Sequence, residues 1–282
     1  MIMVDSCPHS IYFFRVDVDH LDLEEAANTF RDWHIVPLGR PTISPPQQKL
    51  SVIDIPGANG VMDLSNSLTK YPVFGNRTGN MTFAVDYDKT DWLTAYTKIL
   101  KFLQGVDVRF ILEDDPLFFY EGRVYVEDFN SRNDGTWSEL TLGYDLQPYR
   151  RSIYTSLDDN WLWDPFNFET DVIQSSVFNA IEVTDSSSTP WENVQEYDFT
   201  GLVDSMPVIP NITVDTSNGQ PMLARVMNTD LYGNTWKEFS FNKGASYKDY
   251  NLILCEETPE SVIKMQFKNP GSITLEFRSG RL

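Results

Sequence analysis

Ser138-Glu139-Leu140-Thr141-Leu142-Gly143-Tyr144-Asp145-Leu146 alternates without a break: Leu140, Leu142, Tyr144 and Leu146 fall on one side, Glu139, Thr141 and Asp145 on the other. Successive side chains of a strand point to opposite faces, so the stretch predicts a strand with one buried face. Immediately upstream, residues 130–135 are rich in Asn, Asp and Gly, which tolerate positive φ, and read as a hairpin loop. Before that loop, residues 117–120 and 122–126 read as a strand pair or as one bent strand carrying Gly122. Residues 109–112 and 82–86 read as further strands.

One segment breaks the β pattern. In residues 90–104, Trp92, Leu93, Tyr96, Ile99, Leu100 and Leu103 recur at helical spacing. Thr90 is the expected N-cap, Asp91 suits the positive end of the helix dipole, Lys98 and Lys101 suit the negative end, and Gly105 closes the helix. The apolar stripe is read as packing on a sheet. Residues 22–32, with Leu23, Ala26, Ala27 and Phe30, form a weaker helix pattern. Composition shifts at Gln147-Pro148-Tyr149-Arg150-Arg151, giving expected domains of residues 1–151 and 152–282. The second half reads as short strands at 212–214, 223–226, 238–241, 250–254, 262–267 and 272–278, separated by turn residues. Regular spacing of this kind predicts a β-sandwich.

The 282 residues carry 22 Lys+Arg against 41 Asp+Glu, a formal charge of −19. A polyanion-binding surface needs clustered cations, so a general nucleic-acid binder is not expected. With 41% hydrophobic residues the chain is too apolar for a disordered acidic tail. No run approaches the roughly 18 apolar residues that span a bilayer, and the first residues carry no signal-peptide pattern. Cys7 and Cys255 are too few for a disulfide framework, though they could pair if the fold brought them together.

Motifs for catalysis are sparse. There is no phosphate-cradling glycine loop and no nucleophile elbow. His9, His20 and His34 lack metal spacing, and Cys7 with His9 would supply only two ligands. The acids Asp17, Asp19, Asp22, Glu24 and Glu25 superficially resemble a calcium loop but lack its central glycine, and read as a solvated turn. Glu113, Asp114 and Asp115 could hold a glycosidase acid pair, or simply form a wet strand end. Trp161 and Trp163, with Phe166 and Phe168, make an aromatic patch for a ligand or an interface, against the plainer reading of core packing.

Two stretches together carry a resemblance. One is Arg31-Asp32-Trp33-His34-Ile35-Val36-Pro37, then Ile55-Pro56-Gly57-Ala58-Asn59-Gly60-Val61-Met62-Asp63-Leu64-Ser65 and Phe74-Gly75-Asn76-Arg77; the other is residues 271–282. The chain resembles the distal tail protein (Dit) family of siphophages and prophages of Gram-positive hosts, closely in its first half and loosely in its second. In the most specific part, Pro56, Gly57 and Gly60 turn the chain sharply between 51–55 and 61–64. The resemblance implies a mainly β protein of two sandwiches, the N-terminal one tail-tube-like with one flanking helix, the C-terminal one galectin-like. It implies a structural virion protein without catalytic residues or cofactor, assembled in the host cytoplasm and sited at the tail tip. Six copies would form a ring joining the tail tube protein to the tail-associated hub or lysin protein. The outer domains would support receptor-binding proteins, and DNA would pass through the ring without specific binding.

A closing ring needs heterologous contacts, one surface of a subunit meeting a different surface of the next. The loops 37–49 and 56–71 are long and Pro-rich, so Pro37, Arg40, Pro45, Pro46, Pro56, Gly57, Gly60 and Tyr71 are the candidate interface residues, unless these loops only cover their own core. Two other readings stay open. Residues 152–282 could be a module recognising wall sugars through Trp161, Trp163, Trp191 or Trp236, in which case Trp→Ala would abolish glycan binding. A glycoside hydrolase using Glu113 would lose turnover on Glu113→Gln.

Overall fold

A computed structural model describes residues 7–16, 21–57, 59–67, 69–86, 90–131, 138–157 and 178–282. The chain divides by contact into two units, one of Met1–Leu50, Val73–Ile153 and Leu282, the other of Ser51–Pro72 and Tyr154–Arg281. Residues 51–72, which a division at 151 assigns to the first domain, thus group with the second unit.

In chain order the strands are β1 (Ile11–Arg15), β2 (Ala27–Asn28), β3 (Ile35–Pro37), β4 (Val52–Asp54), β5 (Val61–Asp63), β6 (Arg77–Val85), β7 (Asp107–Leu112), β8 (Asp115–Ser131), β9 (Ser138–Leu146), β10 (Arg150–Ser152), β11 (Ile181–Val183), β12 (Glu196–Asp198), β13 (Asn211–Thr216), β14 (Met222–Asn228), β15 (Lys237–Phe241), β16 (Gly244–Lys248), β17 (Ile263–Lys268), β18 (Gly271–Glu276) and β19 (Gly280–Arg281). Helix α1 spans Trp92–Leu103 and α2 spans Thr229–Tyr232.

The first unit is built on one antiparallel sheet ordered β2-β1-β7-β8-β9-β6-β3, with β10 paired to β8. β9 is the strand that its alternation predicts, and Leu140, Leu142, Tyr144 and Leu146 are all buried. The upstream stretch resolves as one strand, β8, running through Gly122. The expected loop at 130–135 falls largely outside the described residues. Ala95, Ile99 and Leu103 of α1 point into the core, each a turn apart, with Phe83, Phe110 and Leu142. Full burial of such side chains stabilises by about 1.5–3 kcal/mol each.

The helix departs from expectation at its start. Asp91, not Thr90, is the N-cap, because its carboxylate accepts the Thr94 N–H at 3.0 Å and the Thr94 hydroxyl at 2.7 Å. Leu93 is solvent-exposed. No helix forms over 22–32. Asn28 Oδ1 accepts the N–H groups of Phe30 and Arg31, Asp32 accepts the Asn28 N–H, and the Thr29 hydroxyl accepts the Ile11 N–H. These local side-chain acceptors offer the backbone an alternative to helix, and β2 joins β1 instead.

The second unit contains two four-stranded antiparallel sheets, β11-β18-β13-β16 and β12-β17-β14-β15. Ile212, Val214, Ile273 and Leu275 of one and Ala224, Val226, Met265 and Phe267 of the other share a single core. The architecture is therefore mainly β and sandwich-like. Residues 250–254 are not a strand. Asp249 accepts the Asn251 N–H and the Leu252 N–H, closing a turn, and only Leu254 bridges to Val208.

Candidate functional site

Val52 to Asp63 is an antiparallel hairpin. Val52 pairs with Asp63, Ile53 with Met62 and Asp54 with Val61. Its tip needs Gly57 and Gly60, whose φ of +84° and +82° lie in the region that a Cβ disfavours. Ser51 and Leu64 close the base: Leu64 N–H donates to Ser51 O at 2.8 Å and Ser51 N–H to Ser65 Oγ at 2.9 Å. Asp63 accepts both the Ser65 N–H and its hydroxyl, which holds the Asp63 carboxyl below its ordinary pKa.

The hairpin's apolar side chains are not buried. Val52, Ile53, Ile55, Val61 and Met62 all stand in solvent, Val61 at 59% exposure, and Leu50 just ahead of them at 67%. Most large apolar side chains of the described residues are buried, so five exposed ones on a single two-stranded ribbon are unusual. An isolated two-stranded hairpin is itself marginal in water, so it gains from any surface that covers it.

The remaining candidates take definite places. Pro56, Gly57 and Gly60 are exposed at the hairpin tip. Tyr71 is half-buried, and burial together with Cys255 and Glu257 raises its phenol pKa. These four belong to the second unit; Pro37, Arg40, Pro45 and Pro46 belong to the first. Pro37 ends β3, and Arg40 is exposed with Nε 3.2 Å from Asp114 Oδ2. Pro45 is exposed and Pro46 half-buried. The loop carrying them is pinned at Ser44, whose N–H donates to Tyr144 Oη at 2.9 Å and whose carbonyl accepts Arg77 Nη1 at 3.1 Å. Arg77 is buried and also donates to Pro148 O, and desolvation lowers its pKa.

Trp161 and Trp163 lie outside the described residues. Trp191 and Trp236 come together over the side chain of Arg225. The acidic run at 113–115 is engaged residue by residue. Glu113 accepts the Ser10 N–H, Asp114 binds His9 Nδ1 at 2.7 Å, and Asp115 binds Arg150 Nη1 at 2.6 Å. Among the described residues no three His, Cys, Asp or Glu side chains converge as a metal set, and both cysteines are free thiols. Among the described residues no helix is long and apolar enough to cross a membrane.

No protein-family profile matches the chain, and no curated protein matches it in sequence. A solved structure does: the crystal structure of the Dit protein (gp 19.1) of SPP1, described there as a paradigm of the hub adsorption apparatus in phages that infect Gram-positive hosts. The two share 16% identity and a TM-score of 0.50, over 97% of this chain and 99% of that one.

The chain has a Dit-like fold.

Sequence reading of that fold reached the turn at the hairpin tip but missed the apolar row beside it. The signal was present: Val52-Ile53 and Val61-Met62 place apolar pairs on either side of the turn, so both faces of the ribbon are apolar and one must lack a core. Of the Trp191, Trp236 and Arg225 cluster, the two tryptophans stand out in sequence as aromatics for a sugar, while Arg225 leaves no such local signal.

Proposed function

We propose that the chain is a structural subunit of a phage tail, forming the hexameric distal ring at the tail tip. The Dit-like fold over nearly the whole chain supports the class. The observation that carries the assembly is the exposed apolar row of the β4–β5 hairpin, which suits a heterologous contact with a neighbouring copy. In this reading the tail tube protein sits on one side of the ring and the tail-associated hub or lysin protein on the other, and the outer domains support receptor-binding proteins. The loop around Pro37, Arg40, Pro45 and Pro46 is a second contact of the same kind. The formal charge of −19 suits a conduit, because carboxylates repel a passing phosphate backbone over about 8–10 Å at physiological salt. The work is mechanical and involves no catalytic group.

Size-exclusion chromatography with light scattering tests the assembly. Six copies of a 32.4 kDa chain give about 194 kDa, and this mass is expected with the wild-type hairpin. A mass of one chain at every concentration, with or without the tail tube protein, overturns the hexamer.

A further inference from the structure

The sheet β12-β17-β14-β15 buries Ala224, Val226, Met265 and Phe267 on one face, so Arg225, Gln266 and Lys268 belong to the other. That outer face is not simply solvated. Gln266 is 5% exposed and Lys268 6%, although both lie on the side away from the core. Two tryptophans cover it. Trp191 comes from the turn leading into β12, Trp236 from the residue before β15, and these are the two outer strands of the sheet. Arg225, on β14 between them, has its Cζ 4.8 Å from the centroid of Trp191 and 4.7 Å from that of Trp236. Lys268 Nζ lies 3.9 Å from the Trp191 centroid. The result is a row of cation, indole, cation and indole.

The guanidinium in this row is held through Nε alone among the described residues. Arg225 Nε donates to Gln266 Oε1 at 2.5 Å, and Gln266 in turn donates its Nε2 to Val194 O at 3.0 Å. The terminal Nη groups of Arg225 donate to no described residue. Neither Arg225 nor Lys268 is ion-paired among the described residues, in a chain with 41 acidic residues. Its neighbour Lys264 does carry a partner, Glu196 at 2.7 Å. A planar fork flanked by two indole rings, with Nη groups that donate to no described residue, is the arrangement that accepts a carboxylate or phosphate group through two parallel hydrogen bonds. Beside it, Glu238 stands opposite Arg225 in the β14–β15 ladder and is exposed. A carboxylate there accepts hydroxyl donors and repels a continuous phosphate backbone. The half-buried Trp236 adds an apolar ring edge for C–H surfaces.

We propose that this face binds an anionic saccharide, its acidic group seated on the Arg225 fork, its hydroxyls on Glu238 and its ring against Trp236. The site lies within the second unit and stands whether or not the ring reading holds. Calorimetry on the full chain tests it with three probes: a galacturonate trimer, galactose 6-phosphate and neutral galactotriose. One or both anionic probes are expected to bind, and which one binds distinguishes a carboxylate from a phosphate source. The neutral sugar is expected to bind at least about tenfold more weakly. Arg225→Gln and Trp236→Ala should each weaken binding about tenfold, while Lys243→Gln in the exposed β15–β16 turn leaves it unchanged. If Arg225→Gln does not fold, Arg225→Lys keeps the charge, loses the fork and should still weaken binding several-fold. Binding of neither anionic probe, equal binding of inorganic phosphate or triglutamate, or binding indifferent to both variants overturns the proposal.

Discussion

Ile53 and Met62 stand opposite each other in the β4–β5 ladder, and half of each side chain lies in solvent. In the same chain the corresponding ladder pairs of the larger sheets, such as Phe83 with Leu140, are fully buried. The ribbon therefore holds apolar area in water that a partner surface could remove, at about 25 cal/mol per Å2 covered.

The double variant Ile53→Asp, Met62→Asp puts two carboxylates into that row. It should shift the light-scattering mass from the assembled form towards a single chain. Its thermal unfolding as a protomer should change by no more than about 0.5 kcal/mol, because the positions are exposed. An unchanged assembly mass would remove the hairpin from the contact.

Gly79 lies under the ring of Tyr144. A Cβ at position 79 would meet Tyr144 Oη at 2.4 Å and Cζ at 2.7 Å. Gly79→Ala must push the ring away and break its hydrogen bond to the Ser44 N–H. Overpacking of this kind costs about 1–3 kcal/mol, measurable by chemical denaturation. The variant should also raise protease sensitivity near Ser44, since that bond pins the 37–49 loop.

Glu257 is partly buried beside Asp230, and both effects raise its carboxyl pKa above the ordinary value. The folded state then holds the proton more tightly than the unfolded chain does. At pH below the ordinary value both states are protonated and nothing is lost. As pH rises through the raised value, ionisation increasingly penalises the folded state. Glu257→Gln should therefore stabilise the protein at pH 7 and have little effect near pH 3, read from denaturant midpoints. A larger gain in acid than at neutral pH would contradict this.

Cys255 is buried, and its thiol pKa is pushed up to about 12 by desolvation and by Glu257, Asp230 and Glu256. Thiolate, not thiol, is the reactive form. At pH 8 a disulfide reagent should modify Cys7 within minutes and Cys255 only after denaturant is added. Rapid titration of two thiols in the native protein would contradict the burial.

The parts of the fold legible in sequence are those set by local pattern. Leu140, Leu142, Tyr144 and Leu146 announce β9 by alternation, and Ile99 and Leu103 announce α1 by helical spacing. Misreadings arise where a polar side chain redirects the backbone. Asn28 and Asp32 replace a helix by turns and a short strand, and Asp249 turns the chain where apolar residues 250–254 suggest a strand. The hairpin tip was legible because only glycine accepts its backbone at positions 57 and 60. In the Arg225 row, Trp191 and Trp236 were legible as candidate sugar-facing aromatics, but Arg225 and Lys268 were not, because they meet the rings only through strand pairing across the sheet.

The central claim is that copies of this chain close into a ring of six through the β4–β5 hairpin around an acid-lined bore. Cryo-electron microscopy of the assembled particle tests it most directly. The account predicts six subunits, with Val52, Ile53, Val61 and Met62 covered by the neighbour and carboxylates lining the hole. An assembly that leaves those side chains in solvent, or a bore lined with lysine and arginine, would contradict it.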